Sequence, residues 1–467
     1  MRKMMPMVVC VSLFFVGLAT PIHVVHGSAP ILSGNSVGSP EHSQVSALTI
    51  EEAIDLALSN DQTIILLGYQ YEILKLDRII SENTIIDLEE EIRNAENYSA
   101  QPTNPDVVRQ SIIKNIQSKN AGVKDKSYGE EWPPELIEEV ETLTASTIQA
   151  NRAINAQNAS RASQVKDTLT SNIDSLKNGL KNNEINKEKN QLQVAETKEG
   201  IRFMIKGRIV ELLSLKAGLD FQDQHLNLLK DDIKKAETEL NTGTASYNSL
   251  IRLKRDLQTN EQEREKRQKQ YDLELTRLLH DINYPTNKKV ELISPNLKNL
   301  KKINMSKVNE TKEKFLANSF ELKRIDQDLA KLAYDRKQII NKRDEGNSDN
   351  VENSYLLEEI KQQEIKIKLE EKNKIEKDLP KQVTTIYEKA DEAYSDIINK
   401  QTLKTHQIED ERNLEIQYEL GLISWHDYKK ASFSTKQIAF DELMANYSYY
   451  LKLSEMEALE RGIMFSK

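Results

Sequence analysis

The stretch YELGLISWHDY, residues 418–428, interrupts a long and highly charged helical pattern near the end of the chain. Gly421 suits the left-handed position that ends a helix, where a side chain would be strained. Ser424 is placed to cap the returning helix, and Asp427, three residues further on, completes a capping box with Asp in place of the usual Glu. The stretch therefore predicts a sharp helical hairpin.

The same turn occurs a second time in LNTGTASYNSL, residues 240–250, which aligns with 418–428 without gaps. The matched positions carry related residues, in the pairs Gly243 and Gly421, Ser246 and Ser424, and Tyr247 and Trp425. Upstream of the two turns, ALSNDQTI (57–64) resembles FLANSFEL (315–322) more weakly. Two related starts followed by two related turns predict a twofold repeat.

The two repeats differ in length. The start and the turn lie 186 residues apart in the first copy, from 57 to 243, and 106 apart in the second, from 315 to 421. The first copy therefore carries some 80 additional residues, which we place in an insertion around 98–190. We predict a first repeat at 47–283, a connector at 284–304 and a second repeat at 305–467.

The composition favours long, solvent-exposed helices over a thick core, since 30% of the residues are charged and only 6% are aromatic. Thr49 is a predicted N-cap, followed by one apolar helix face that comprises Ile50, Ala53, Ile54, Ala57 and Leu58. Continuous helices are predicted to about Asn97, over 306–342, and over 351–420 with a kink or split at Pro380. The predicted fold is all-α, with elongated coiled-coil hairpins.

The N-terminus predicts export. Arg2 and Lys3 precede an apolar run, and small residues follow it, so we interpret 1–27 as a signal peptide and 28–46 as a flexible leader; the alternative is an uncleaved membrane anchor. Cys10 lies inside the apolar run, which leaves the mature chain without cysteine. Loss of two basic residues lowers the net charge from −9 to −11, which disfavours binding to nucleic acid or anionic membrane. The predicted location is the cell envelope or the extracellular space.

No pattern of catalytic chemistry occurs in the sequence. We predict no enzyme activity, no cofactor and no metal site, because no two of the five histidines after the signal lie within one helical turn of each other. These residues are predicted to lie on the surface: His42, His225, His280, His406 and His426. The cluster of Tyr447, Tyr449 and Tyr450 is predicted to belong to the core.

The start LTIEEA (48–53), the turn Gly421-Leu422 with Asp427, and the ending LSEMEALERGI (453–463) are similar to the TolC-type outer membrane efflux family. The resemblance covers the chain from about residue 47. It implies a trimer whose helical hairpins form a tunnel. It also implies that the hairpin tips dock on a periplasmic adaptor, or membrane fusion, protein, and that an inner-membrane pump supplies the energy.

The resemblance places the partner-binding residues at the two tips. They are Gly243, Ser246, Tyr247, Asn248, Gly421, Leu422, Ile423, Ser424, Trp425 and Asp427. Helix geometry alone leaves Leu422 and Ile423 exposed at the apex, where such residues either cover the core of the loop or contact a partner.

The chain departs from that family where each repeat should insert two barrel strands. A barrel strand takes about 9–11 residues of alternating character. The second repeat offers only about eight residues, 344–351, and the first offers 99–134 without sustained alternation. We therefore predict that the barrel strands are absent.

Two functions from different classes fit these patterns. The preferred one is a TolC-like component of an export system, with its tips docked on the adaptor of an ABC-type transporter and a tunnel formed outside the cytoplasmic membrane. The alternative is a structural coiled-coil spacer or scaffold of the cell envelope, in which helix length matters and the tips are dispensable. A role as the adaptor itself is disfavoured, because no β-rich segment lies between the helices.

Overall fold

The computed structural model describes residues 46–129, 131–244, 246–285, 289–344 and 351–464. Of these residues, 85% are helical, as the sequence predicts. The predicted signal peptide, nearly all of the leader, Cys10 and His42 lie outside the described residues.

The first repeat contains five α-helices, preceded by a three-residue strand. In chain order they are β1 (Ser46–Leu48), α1 (Ile50–Asn60), α2 (Gln62–Glu96), α3 (Pro105–Lys119), α4 (Pro134–Asn241) and α5 (Tyr247–Asp281). The second strand, β2 (Val290–Leu292), lies in the connector and pairs in parallel with β1. After a 3₁₀ turn at Met305–Lys307, the second repeat comprises α6 (Val308–Asn318), α7 (Phe320–Asp344), α8 (Val351–Glu419) and α9 (Trp425–Glu460).

The long helices lie side by side in one layer. Their order across this layer differs between the half that ends at the glycine turns and the opposite half. In the half that ends at the glycine turns, the order is α5, α4, α9, α8. In the other half it is α2, α4, α7, α8. Each repeat is therefore built the same way, since its long helix, α4 or α8, packs first on α2 or α7 and then on α5 or α9.

The main core lies where α1 packs on the middle of α4. The predicted face of α1 is confirmed, since Ile50, Ala53, Ile54 and Ala57 are buried while Leu58 is partly buried. Across from them, Ile205 and Ile209 of α4 are fully buried. Thr49 and Glu52 form the capping box that begins α1, with the Thr49 hydroxyl accepting from the Glu52 amide at 3.2 Å.

The tyrosine cluster belongs to the core in the way predicted. Tyr447 and Tyr449 are buried, and the Tyr449 hydroxyl donates to the Lys301 carbonyl at 2.7 Å. Tyr450 packs against the main core. Burial and a satisfied hydroxyl are the pattern of packing residues.

The sequence predicts one continuous helix at the start of each repeat. Both predictions are wrong, because each helix is divided in two, into α1 and α2 in the first repeat and α6 and α7 in the second. Asp61 caps α2 by accepting from the Ile64 amide at 2.9 Å. Ser319 occupies the equivalent position before α7 and accepts from the Leu322 amide at 3.3 Å. A side-chain oxygen at these positions can cap a new helix, so a second helix begins directly after the capping residue.

The residue before each of these two junctions also forms a hydrogen bond with the end of the last helix of its repeat. The Asn60 side-chain amide donates to the Ile282 carbonyl at the end of α5 at 3.3 Å. The Asn318 amide donates to the Glu460 carbonyl at the end of α9 at 2.6 Å. These residues lie in the aligned segments 57–64 and 315–322, so the weak sequence similarity marks a shared structural junction.

A kink or a split was predicted at Pro380. The split does not occur, since α8 is continuous from Val351 to Glu419; the kink stays a prediction. Leu379 and Val383, on either side of the proline, are fully buried.

The short strands β1 and β2 were not predicted, because their pairing joins residues some 240 positions apart.

Within the predicted insertion around 98–190, the described residues of 105–144 form an arm made of α3, the loop after it and the start of α4. Its own small core contains Val123, Trp132 and Val140, and Arg109 forms an ion pair with Glu141 at 2.9 Å. The helices α7 and α4 run antiparallel, and Tyr334 of α7 contacts Asn178 of α4. Asp344, the last residue of α7, therefore lies near the level of residue 168 of α4. The 34 residues of α4 that precede 168 extend about 50 Å further.

Candidate docking site at the hairpin tips

The second tip joins α8 to α9 through a Schellman turn centred on Gly421. Gly421 has φ = 74°. Its amide donates to the Tyr418 carbonyl at 2.9 Å, and the Leu422 amide donates to the Gln417 carbonyl at 2.8 Å. These two bonds satisfy carbonyls that the helix end leaves free, which confirms the predicted stop signal.

The returning helix begins with the predicted cap. The Ser424 hydroxyl accepts from the Asp427 amide at 3.1 Å and donates to the Asp427 carboxylate at 2.6 Å. The hydrogen bond from the Ser424 hydroxyl holds the pKa of Asp427 below its usual value. The apex is thus fixed on both sides by local hydrogen bonds.

Large apolar side chains project from this fixed apex. Leu420 is 69% exposed and Leu422 is 70% exposed. Trp425 is also exposed, with the Lys429 ammonium 4.8 Å from its ring centroid. Ile423 is half-buried, so the prediction that both Leu422 and Ile423 are exposed is wrong for Ile423.

The first tip has the same backbone construction. Gly243 has φ = 78°, its amide donates to the Leu240 carbonyl at 3.0 Å, and the Thr244 amide donates to the Glu239 carbonyl at 2.8 Å. Ser246 caps α5 by accepting from the Ser249 amide at 3.2 Å. Tyr247 and Asn248 are exposed beside it, so the aligned residues occupy equivalent places in both tips.

The tips are supported by contacts between α4 and α9. His426, the second residue of α9, is buried, and its Nε2 lies 2.8 Å from Asp232 Oδ1 of α4, at ion-pair distance but outside hydrogen-bond geometry. Further along, Phe221 stacks on Phe433 and Phe440, with ring centroids 5.2 and 4.9 Å apart. The prediction that His426 lies on the surface is therefore wrong.

The predicted site residues lie in two groups that are offset along the helices. His426 of the second tip lies beside Asp232, whereas α4 continues for nine residues beyond Asp232 to Asn241. Nine helical residues span about 14 Å. Because His426 already lies one residue inside α9, the first tip projects somewhat less than this, roughly 10 Å, beyond the second. The two tips therefore present separate surfaces.

Across the second hairpin, Tyr418 and Tyr428 stack with ring centroids 5.7 Å apart. Burial raises the pKa of Tyr428, and Glu415 beside it acts in the same direction. The described residues contain no cluster of three His, Cys, Asp or Glu side chains suited to a metal ion. None of the described helices is both long and apolar enough to cross a bilayer.

No known family model matches the chain. No curated protein matches it either. Among solved structures, the chain is similar to the CmeC outer membrane channel of Campylobacter jejuni, with 12% identity over 88% of this chain and 85% of that chain and a TM-score of 0.46. It is similar to CusC, studied for folding and transmembrane channel formation, with 12% identity over 61% and 73% of the two chains and a TM-score of 0.48.

The outer-membrane channel OprN is a third similar structure, with 11% identity over 62% of this chain and 72% of that chain and a TM-score of 0.44. All three are TolC-family outer membrane channels, the family that the sequence resembles. At these values the likeness concerns helical architecture, and the function proposed below rests on the tips themselves.

Sequence reasoning missed three residues of the tips. Leu420 is the last residue before the glycine and is as exposed as Leu422. His426 and Asp232 meet only because α4 and α9 lie side by side. The exposure of Leu420 could have been inferred from its place next to the turn, whereas the contact between two helices about 190 residues apart leaves no local signal.

Proposed function

We propose that the chain is an exported component of an efflux system and that its helical hairpin tips dock on an adaptor protein of an ABC-type transporter. The observation that carries this proposal is the exposure of Leu420 and Leu422 on a backbone fixed by a Schellman turn and a capping box. Exposed apolar side chains on a rigid turn suit a partner that covers them, because little conformational freedom is lost on binding.

Several copies arranged side by side would enclose a tunnel outside the cytoplasmic membrane, with the tips at one end. A helical hairpin of the adaptor is a suitable partner, since it can offer apolar side chains at helical spacing to Leu420, Leu422 and Trp425. The first tip, with Tyr247 and Asn248, would contact a second part of the adaptor about 10 Å further along.

The test is capture of candidate adaptor proteins by the purified chain. We expect Gly421→Val combined with Leu422→Asp to abolish capture, because the turn is strained and the apolar contact is lost. Leu273→Asp is the matched control, since Leu273 is about half exposed on the shaft of α5. Equal capture by the wild type and the tip variant would refute docking through the tip.

A scaffold or spacer in the cell envelope is the second candidate. One observation favours it: α4 is a single helix of 108 residues, about 160 Å long. In that role only length matters, so deletion of residues 420–424 with a short Gly/Ser replacement would leave function intact. In the docking role the same deletion abolishes export.

A further inference from the structure

A groove lies between α7 and α8, beside Met464, the last of the described residues. Its volume is about 860 Å³, within the range of sites that take small molecules. None of the residues that line it belongs to either tip, so the groove is separate from the proposed docking site.

The floor of the groove is apolar. On α8 it is formed by Ile375, Leu379 and Ile386, whose spacings of four and seven residues place them on one face of the helix. Ile325 of α7 lines the other side and is buried, as are Leu379 and Ile386. Ile375 is half-buried and Met464 is 38% exposed, so apolar surface remains open to a ligand. The eleven residues from Ile375 to Ile386 span about 16 Å, a length that suits an extended acyl chain.

The carboxylates that line the groove already have cationic partners. Each lies 3.7 Å or less from its partner, in the pairs Glu321–Arg324, Asp328–Lys189, Glu371–Lys368 and Asp378–Lys381. Two further lysines that line the groove, Lys374 and Lys389, form no ion pair within the described part of the chain. The groove therefore carries uncompensated positive charge, which favours an anionic ligand.

The end of the groove near Ile386 is the more basic one. Lys381, Thr385 and Lys389 follow one another along α8 at spacings of four residues, so their side chains form a stripe on one side of the helix. At the other end, three carboxylates line the groove, those of Glu321, Asp328 and Glu371. An anion is therefore favoured at the stripe, where two ammonium groups flank a hydroxyl donor.

We propose that this groove binds a long-chain carboxylate. The acyl chain lies on the apolar floor and covers Ile375 and Met464. The carboxylate lies at the basic end, where it pairs with the Lys389 ammonium and accepts a hydrogen bond from the Thr385 hydroxyl. The proposal goes beyond docking through the tips and does not rest on it.

The test is isothermal titration calorimetry of the purified full-length chain with laurate, below the concentration at which laurate forms micelles. We expect one binding site per chain. Dodecyltrimethylammonium has an alkyl chain of similar length and the opposite charge, and acetate has the carboxylate without the long chain. Both should bind at least roughly tenfold more weakly, because each lacks one of the two kinds of contact.

Two matched variants test the position of the carboxylate. Lys389→Glu should weaken laurate binding roughly tenfold or more, because it reverses the charge at the basic end. Lys377→Glu is the control, since it makes the same change at an exposed lysine of α8 that does not line the groove. The control should bind laurate as the wild type does.

Two further variants test the floor. Ile375→Gln replaces an apolar side chain by a polar one of similar size and should weaken binding several-fold. Met464→Gln makes the same kind of change outside the helices, so it reports on the groove even if Ile375→Gln fails to fold. Circular dichroism checks the fold of each variant.

Three results would overturn the proposal: no binding of laurate by the wild type, equal affinity for laurate and dodecyltrimethylammonium, or unchanged affinity in Lys389→Glu. Residues 465–467 follow Met464 in the sequence. A chain that binds laurate only after these three residues are deleted would assign the groove to that segment and would also overturn the proposal.

Discussion

Gly421 and Gly243 adopt a left-handed backbone that costs a residue with a side chain about 1–2 kcal/mol. We expect Gly421→Ala to lower the free energy of unfolding by about this amount, although open space surrounds the position. Gly68 in α2 is the matched control: it also faces open space but is helical, so Gly68→Ala should raise stability by up to about 1 kcal/mol. Urea unfolding followed by circular dichroism measures both, and equal signs would contradict the argument.

Asp427 gives the second tip a defined pH dependence. The Ser424 hydroxyl lowers the pKa of Asp427 in the folded state, so the carboxylate stabilises the fold above its unfolded pKa of about 4. This contribution is lost as the pH falls through the lowered pKa. The difference in unfolding free energy between the wild type and Asp427→Asn should be constant above pH 5 and shrink below pH 4; a difference that grows on acidification would contradict this sign.

At the tips, the sequence predicts contacts between residues that are close along the chain and misses contacts between separate helices. Gly421, Ser424 and Asp427 interact within ten positions, so their types and spacing predicted the turn. The partner of His426 is Asp232, and that contact follows from the packing of α4 on α9. A histidine in a charged helix gives no sign of which helix will cover it.

At the scale of elements, Pro380 lies inside α8 without dividing it. Proline removes a backbone hydrogen bond and costs about 3 kcal/mol within a helix. Leu379 and Val383 are fully buried on either side and hold the helix in place. We therefore expect Pro380→Ala to raise the unfolding free energy by about 1–3 kcal/mol, measured by urea unfolding. An unchanged or lower stability would show that the helix has already adapted to the proline.

The elements themselves were predictable where their signals are local. The glycine turns placed the ends of α4 and α8. The divisions at Asp61 and Ser319 were missed because the apolar pattern continues across them. Strands β1 and β2 were missed because three residues carry no alternation and their pairing is not local.

For the whole molecule, exposed large apolar side chains occur both at the tips and along the sides of the long helices. The tips expose Leu420 and Leu422 at a helix end, where the proposed partner would approach along the helix axis. The helices α2 and α8 expose theirs sideways. Docking through the tips, as proposed, would leave these side faces uncovered.

The arm formed by residues 105–144 is joined to the rest of the described chain mainly through α4. Among its described residues only four apolar side chains are buried, namely Val108, Val123, Trp132 and Val140. A small core that shares few contacts with its surroundings opens at lower free energy than the main core. We therefore expect the arm to unfold before the helices around Ile205 and Ile209.

The two tryptophans of the chain allow a direct measurement of this order. In Trp425→Phe, which changes an exposed residue, the remaining fluorescence comes from Trp132, buried in the arm. Its urea midpoint should lie below that of the circular dichroism signal, which is dominated by the long helices. In the reciprocal Trp132→Phe chain, Trp425 reports the tip instead. Coincident midpoints for Trp132 fluorescence and circular dichroism would mean that the arm and the main core unfold as one cooperative unit.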